Sequence, residues 1–270
     1  MRVYVEGIGL RAPGIPDWPI GRRVLAGQEV YDEARPVVIT AELLLAAERR
    51  RATETVKLAL TVCRDACASA GIQAAETPSV FASSGGDGAT ITAILETLAT
   101  AARELSPTRF HNSVHNAPSG YWSIATQSRE ATTSLCAFDW SFAAGLLEAT
   151  SQAITTQRAI LLAVYDLAYP LALQTARPIV GSFGVALVLS PTPTISSLAE
   201  VSIEVIRQGD SLATTLPQRQ FEILRGGNPA ARALPLLAAI GQTEVCEVLL
   251  EYVSGNLLKL VVAPRSSTSW

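Results

Sequence analysis

The sequence predicts an α/β fold: a mixed, mostly parallel layered sheet in the first part of the chain, then a strongly shortened second part. Three observations predict it. Helical and strand-like periods alternate over residues 1–190. The strand-like runs, such as Ser79–Ser83 and Ala159–Val164, are continuously apolar, the pattern of strands covered on both faces. After Pro191-Thr192-Pro193-Thr194, which reads as a boundary, residues 195–264 offer only a strand, a helix and a hairpin.

Val3–Ile8 reads as the opening strand, closed by Gly7 and Gly9. Ala52–Ala70 reads as a helix with Val56, Ala59, Leu60, Cys63, Ala66 and Cys67 on one face and Gly71 just past its end. Ser79–Ser83 is a short buried strand that runs into Ser84-Gly85-Gly86-Asp87-Gly88. The helix after it places Ile91, Ile94, Leu95 and Leu98 on its buried side. Thr132–Phe138 reads as a further buried strand, followed by an Ala- and Leu-rich helix to about Ala153. Ala159–Val164 and Val185–Leu189 complete the first part. In the second, Leu198–Ile206 is a strand, Pro229–Ile240 a helix, and Val245–Tyr252 with Leu257–Ala263 a hairpin turning at Ser254-Gly255-Asn256. Residues 265–270 read as a frayed tail.

Composition narrows the function. Hydrophobic residues make up 49% of the 270 and charged residues only 17%, a surplus expected of a surface that another subunit covers. The most apolar stretch, Ala159–Leu173, is broken by Asp166 and Pro170 and is too short for a membrane span. No signal peptide is read at Met1. A net charge of −3 gives no basis for nucleic-acid binding. Arg49-Arg50-Arg51, the one basic run, reads as a solvated helix end, or as a docking patch for an acidic carrier protein. Cys63 and Cys67 share a helical face, while Cys136 and Cys246 sit in apolar, strand-like runs. This is neither a disulfide framework nor a zinc spacing, and it fits the cytoplasm. No cofactor is implied. The glycines at 85–88 match no nucleotide-binding motif, and no basic residue follows them.

Two segments resemble ketosynthases of the thiolase superfamily. Ser106-Pro107-Thr108-Arg109-Phe110 through Asn116-Ala117-Pro118-Ser119-Gly120 is similar to the stretch Ser-Pro-x-Phe, then Asn-x-x-x-Gly, ahead of the ketosynthase nucleophile. Ala137-Phe138-Asp139-Trp140-Ser141-Phe142-Ala143-Ala144-Gly145, ending Glu148-Ala149, is similar to the elbow that carries that nucleophile. Counting from either anchor places the family's Cys at Asp139. A carboxylate there is not an acyl-accepting nucleophile; at a helix N-terminus it is expected to cap free N–H groups. The two histidines, His111 and His115, both precede this position, and the family's later histidine motifs are not seen. His111 and His115 are four apart, but without a third ligand they read as hydrogen-bonding residues of a tunnel or interface rather than a metal site.

The closer resemblance is to the truncated "beta-ketoacyl synthase-like, N-terminal" family and its chain-length-factor subunit of aryl polyene biosynthesis. Phe110-His111-Asn112-Ser113-Val114-His115-Asn116-Ala117 and Asn228-Pro229-Ala230-Ala231-Arg232-Ala233-Leu234-Pro235 carry it. It implies a thiolase-like fold and a non-catalytic chain that forms a heterodimer with an active ketosynthase. Contact with an acyl carrier protein would be transient, through that complex. Thr90, Ile91, Ala93, Ile94, Thr97, Phe110 and His115 are the implied tunnel or interface residues. Two alternatives stand beside it: an acyltransferase or hydrolase with Cys136 or Ser141 as nucleophile and His115 as base, and a structural homodimer without a ligand.

Overall fold

The computed structural model describes residues 1–265. The opening strand β1 (Arg2–Arg11) leads into α1 (Trp18–Leu25), an irregular stretch, α2 (Ala46–Arg51) and the long α3 (Glu54–Ala70). Then come β2 (Ser79–Ala82), α4 (Gly88–Leu98), α5 (Pro107–Asn112), α6 (Ala117–Thr126), β3 (Thr132–Leu135), α7 (Ser141–Thr156), β4 (Ile160–Asp166), α8 (Leu171–Gln174) and β5 (Phe183–Ser190). The chain continues through β6 (Ala199–Arg207), α9 (Arg219–Gly227), a 3-10 turn at Ala230–Ala233, α10 (Leu234–Gly241), β7 (Cys246–Tyr252) and β8 (Asn256–Pro264).

All these strands join one sheet in the order β3-β2-β4-β5-β1-β6-β8-β7. The fold is α/β with a mixed sheet, as expected, but the parallel share is smaller than the sequence suggested. Only β2 pairs in parallel, with β3 and with β4; every other pairing is antiparallel. The reason is the connections. The links β2-to-β3 and β3-to-β4 run through helices and return the chain to the same end. The segment 167–182 instead turns back directly, and β5 and β6 flank β1 through a tight loop at 191–198. Segments 1–190 and 195–264 therefore both contribute strands to this sheet.

α3 forms as the sequence predicts. The Thr53 hydroxyl accepts from the Val56 N–H, and Gly71 ends the helix in the left-handed region at φ 66°. It lies tightly on β1 because Gly7 and Gly9 face it: a Cβ at Gly9 would strike the Val62 carbonyl, and one at Gly7 the Ala66 carbonyl. Its other side is covered by Ala41 and Leu44 of the irregular stretch and by Tyr121 and Trp122 of α6, so Cys63 and Cys67 are both buried. Burial pushes the Cys67 thiol up to about 12 and Cys63 up as well, which makes both thiols inert packing groups. The opposite face of the sheet carries α1, α7, α10 and the turn at 230–233.

Three sequence expectations are corrected. β3 is not a buried strand over 132–138. It is the sheet's edge, half-exposed along Thr133–Leu135, with only β2 beside it, and Cys136 beyond its end is exposed. α4 does not bury Ile91, Ile94, Leu95 and Leu98. Its buried residues are Gly88, Thr90 and Thr92, whereas Leu95 and Leu98 are 52% and 42% exposed. The glycine at the start of α4 admits the Tyr169 ring, which turns the threonine edge inward and leaves the apolar edge without a partner. α9 also forms where a loop was expected. The basic run ends α2 at the surface, with Arg51 paired to Glu48 at 3.5 Å. Of the tail, the Arg265 N–H donates to the Leu198 carbonyl at 2.9 Å, and residues 266–270 lie outside the described part.

Candidate functional site

In open α/β sheets, ligands meet the protein beyond the carboxyl ends of parallel strands. Here the ends of β2, β3 and β4 converge. Asp166, the last residue of β4, is buried (1% exposed), and its Oδ1 accepts from the Ser83 hydroxyl (3.0 Å), the Ser84 N–H (2.9 Å) and the Ser84 hydroxyl (2.8 Å). Its Oδ2 is buried and has no hydrogen-bond partner among the described residues. Burial pushes this carboxyl up to about 6, with the serine hydrogen bonds and the Arg177 charge pulling the other way. The loop after β2 is thus clamped from β4. The glycines at 85–88 have a different cause, Tyr169. A Cβ at Gly85 or Gly88 would collide with the Tyr169 side chain, and Gly86 has φ 67°. They make room for a tyrosine and a turn.

β3 ends in the elbow. Phe138 adopts φ 52°, and residues 138–140 form a 3-10 turn into α7. Ser141 is buried; its hydroxyl donates to the Phe138 carbonyl (2.7 Å) and accepts from the Ala137 N–H (3.1 Å), which pins the turn. Asp139 does not cap α7, contrary to expectation. Its Oδ1 accepts from Arg177 Nη2 at 2.7 Å, and Arg232 Nη2 lies 3.7 Å from Oδ2. Two guanidiniums within reach offer a charged partner, which outcompetes a neutral N–H for a carboxylate. Arg177 also lies over the Phe138 ring, 3.7 Å from its centroid. Arg232 continues the chain of charges to Glu251 (2.8 Å), which meets Arg225 (3.1 Å) and through it Glu222 (2.7 Å). A cleft of about 300 Å³ opens beside Asp139, Arg177 and Arg232.

The motif at 228–235 has a structural task. Asn228 is buried; its Nδ2 donates to the carbonyls of Asp166, Val180 and Gly181, and its Oδ1 accepts from the N–H groups of Ala230 and Ala231. It fastens the second segment to the end of β4 and so delivers Arg232 to the elbow.

Of the residues singled out by sequence, Thr90 and Ala93 line a groove of about 330 Å³ between α4, α5 and the start of α3. Ile91, Ile94 and Thr97 are half-buried on other sides of α4, and Phe110 projects from α5, 65% exposed. His115 lines a smaller neighbouring cleft, with its Nε2 3.1 Å from the Ser83 carbonyl. A carbonyl can only accept, so this nitrogen carries the proton. The Cys136 thiol donates to the Ser84 carbonyl at 3.1 Å. His115 is therefore hydrogen-bonded to neither Cys136 nor Ser141, the pairings that the hydrolase alternative requires. His111 stacks edge-on with Tyr121 at 6.0 Å. Sequence reading missed Arg177, Arg232 and Asp166, since only the fold brings them beside residues 83–84 and 139.

A family model described as "beta-ketoacyl synthase, N-terminal domain" matches residues 25–225. The chain belongs to that family. No curated protein matches it. Solved structures similar to this ketosynthase-family chain include a ketosynthase (ApeO) in complex with its chain length factor (ApeC) from Xenorhabdus doucetiae. That match has 19% identity and a TM-score of 0.72 and covers 97% of this chain and 99% of the other. The ishigamide ketosynthase/chain length factor matches at 13% identity and TM-score 0.72, covering 98% and 100%. A type II polyketide synthase complex of acyl-carrier protein and ketosynthase, AntDE:AntF, matches at 12% identity and TM-score 0.73, covering 98% and 99%. At these identities the likeness establishes the thiolase-like ketosynthase fold. Within that fold Asp139 is ion-paired to Arg177 and Arg232.

Proposed function

We propose that this chain is a non-catalytic, chain-length-factor-like subunit. It pairs with an active ketosynthase and helps shape the tunnel in which an acyl chain grows, in type II polyketide biosynthesis of the aryl polyene kind. The observation that carries this reading is the elbow: Asp139, to which counting along the sequence assigns the nucleophile's place, has its Oδ1 engaged by Arg177. The unpartnered apolar edge of α4, with Phe110 of α5 and the open edge at β3, supports the pairing, since it offers a partner both apolar surface and free strand hydrogen bonds. The carrier protein reaches the chain only through the complex, in the cytoplasm. Thr90 and Ala93 in the groove wall support the tunnel role.

The test is co-expression with a type II ketosynthase, followed by size-exclusion chromatography and intact-mass analysis of both chains after exposure to an acyl thioester. The expected result is a one-to-one complex acylated only on the partner. A stable monomer that draws no ketosynthase, or an acyl adduct on this chain, overturns the proposal. In the complex, Ala93→Phe narrows the groove and is expected to shorten the product without abolishing synthesis, because a close-packed wall has no slack for added volume.

A further inference from the structure

Asp166 and Arg177 each keep one buried polar atom without a hydrogen-bond partner among the described residues. The Asp166 Oδ2 is an acceptor and the Arg177 Nε a donor. Buried polar groups are nearly always paired, so a donor and an acceptor left unmet in one cluster point to a second arrangement. The two do share a cluster. Among the described residues, Arg177 is the charge that acts on the Asp166 carboxyl. Both also bear on the Tyr169 hydroxyl, which burial and the Asp166 charge push up while Arg177 and Ser84 pull the other way. The other groups around Asp166 bring no countercharge. Ser83 and Ser84 donate to its Oδ1, Asn228 donates to its carbonyl, and burial pushes the neighbouring Tyr165 hydroxyl far up. His115 stands one step away, at the Ser83 carbonyl.

Arg177 is committed elsewhere in this arrangement. Its Nη2 meets the Asp139 Oδ1 at 2.7 Å, and its guanidinium covers the Phe138 ring. That pair is open to solvent, with side chains 22% and 34% exposed, so its net attraction is small. Asp166 is the reverse case. Neutral, it needs no counter-ion; ionised, it holds a buried charge with nothing on Oδ2. A guanidinium is then worth more at Oδ2 than at Asp139, because the surroundings screen it less. The connection that carries Arg177 is built to shift. Between Asp166 and Phe183 only Ile179 is buried, α8 is a single turn without a side-chain cap, and Gly181 at φ 63° lies near the segment's end. So thinly packed a segment moves at small cost.

We propose that Arg177 is a two-position switch between the two aspartates. With the Asp166 carboxyl neutral it closes the elbow on Asp139, the position described above. With that carboxyl ionised it turns inward to Oδ2, frees Asp139 and uncovers the Phe138 ring. Closure of the elbow thus depends on pH, whether or not a ketosynthase is the partner.

The test follows the full-length, ¹⁵N- and ¹³C-labelled protein by NMR from pH 4 to 8. It reads the Arg177 Nε–H resonance and the NOE between the Arg177 side chain and the Phe138 ring. The resonance is expected to move with one midpoint no higher than about 6, since the incoming cation favours the carboxylate, and the NOE to fade over the same interval. Asp166→Asn cannot ionise and is expected to keep the NOE at every pH. Asp139→Asn weakens the competing position and is expected to lower the midpoint by about half a unit. It changes a half-exposed side chain, so it carries the test even where Asp166→Asn does not fold. His115→Asn removes the second proton-binding group near Ser83 and is expected to leave the midpoint in place. An NOE that persists to pH 8 in the wild type shows Arg177 fixed on the elbow and overturns the inference. An NOE that fades in Asp166→Asn, a midpoint unmoved in Asp139→Asn, or a transition lost in His115→Asn does the same.

Discussion

Asp166 holds the loop after β2 in place, and it does so from a setting that disfavours its charge. Its folded value of about 6 lies above the ordinary 3.8, so its contribution to stability is fully present below about pH 3.8 and is lost as pH rises through about 6. That interval corresponds to on the order of 3 kcal/mol. Asp166→Asn cannot ionise, so its stability, measured by urea unfolding at pH 4 to 7, is expected to fall less with rising pH than that of the wild type. A parallel pair of curves would show that the carboxyl does not titrate between these values. Asp139 is the opposite case, a half-exposed carboxylate between two arginines. Solvent screening limits such a pair, so Asp139→Ala is expected to cost about 1 kcal/mol by denaturant unfolding, and to leave acylation of a ketosynthase partner unchanged. Loss of loading in an intact complex would give Asp139 a role in the reaction. That a carboxylate stands at position 139, where counting from either motif expects the family's Cys, is legible in the sequence. Its ion pairs are not, because Arg177 and Arg232 reach it only once the connection 167–182 and the Asn228 clamp are folded.

At the scale of elements, what could be read depended on whether the cause was local. α3 carried its own evidence: a threonine cap, an apolar face and a terminal glycine, each within the helix or one residue away. The glycines at 85–88 looked like a ligand loop because their cause, Tyr169, lies on another element. α9 went unseen because Gly226 and Gly227 weaken its helical signal, and α4 was read inside out because apolar residues occupy most of its faces. The packing of α3 on β1 yields a prediction that only the structure could supply. Gly9 touches the backbone of α3 rather than a flexible side chain, so Gly9→Ala must lift the helix or bend the strand. It is expected to destabilise the protein by roughly 1–3 kcal/mol or more in thermal or denaturant unfolding. A neutral result would mean that α3 stands further from the sheet.

For the whole molecule, the apolar surplus in the composition asks where the surplus lies. Part of it builds the two cores on either side of the sheet, and the strands β4 and β5 are buried along their full length. Part remains outside. Leu95 and Leu98 on α4, Phe110 on α5, Val114 beyond it and Ile124 on α6 are all at least 42% exposed, and these helices belong to the sequence that connects β2 to the open edge strand β3. By contrast, the outer side of β6 and β8 carries ion pairs, Arg2 with Glu200 and Lys259 with Glu247, as a solvated sheet face should. The first surface carries large apolar side chains on three neighbouring helices, whereas the second mixes ion pairs with exposed Met1, Val205 and Val261. Because Leu95 and Leu98 are already exposed in the isolated chain, replacing both by Glu removes little internal packing. The double variant Leu95→Glu and Leu98→Glu is therefore expected to unfold within about 0.5 kcal/mol of the wild type. In a heterodimer both carboxylates would be forced into an apolar contact without partners, so ketosynthase co-purification should fall by thirtyfold or more, about 2 kcal/mol at the centre of an interface. Equivalent changes on the solvated face, Glu204→Lys and Lys259→Glu, should leave assembly intact. If the leucine pair assembles normally and the control pair does not, the partner binds the other side of the sheet.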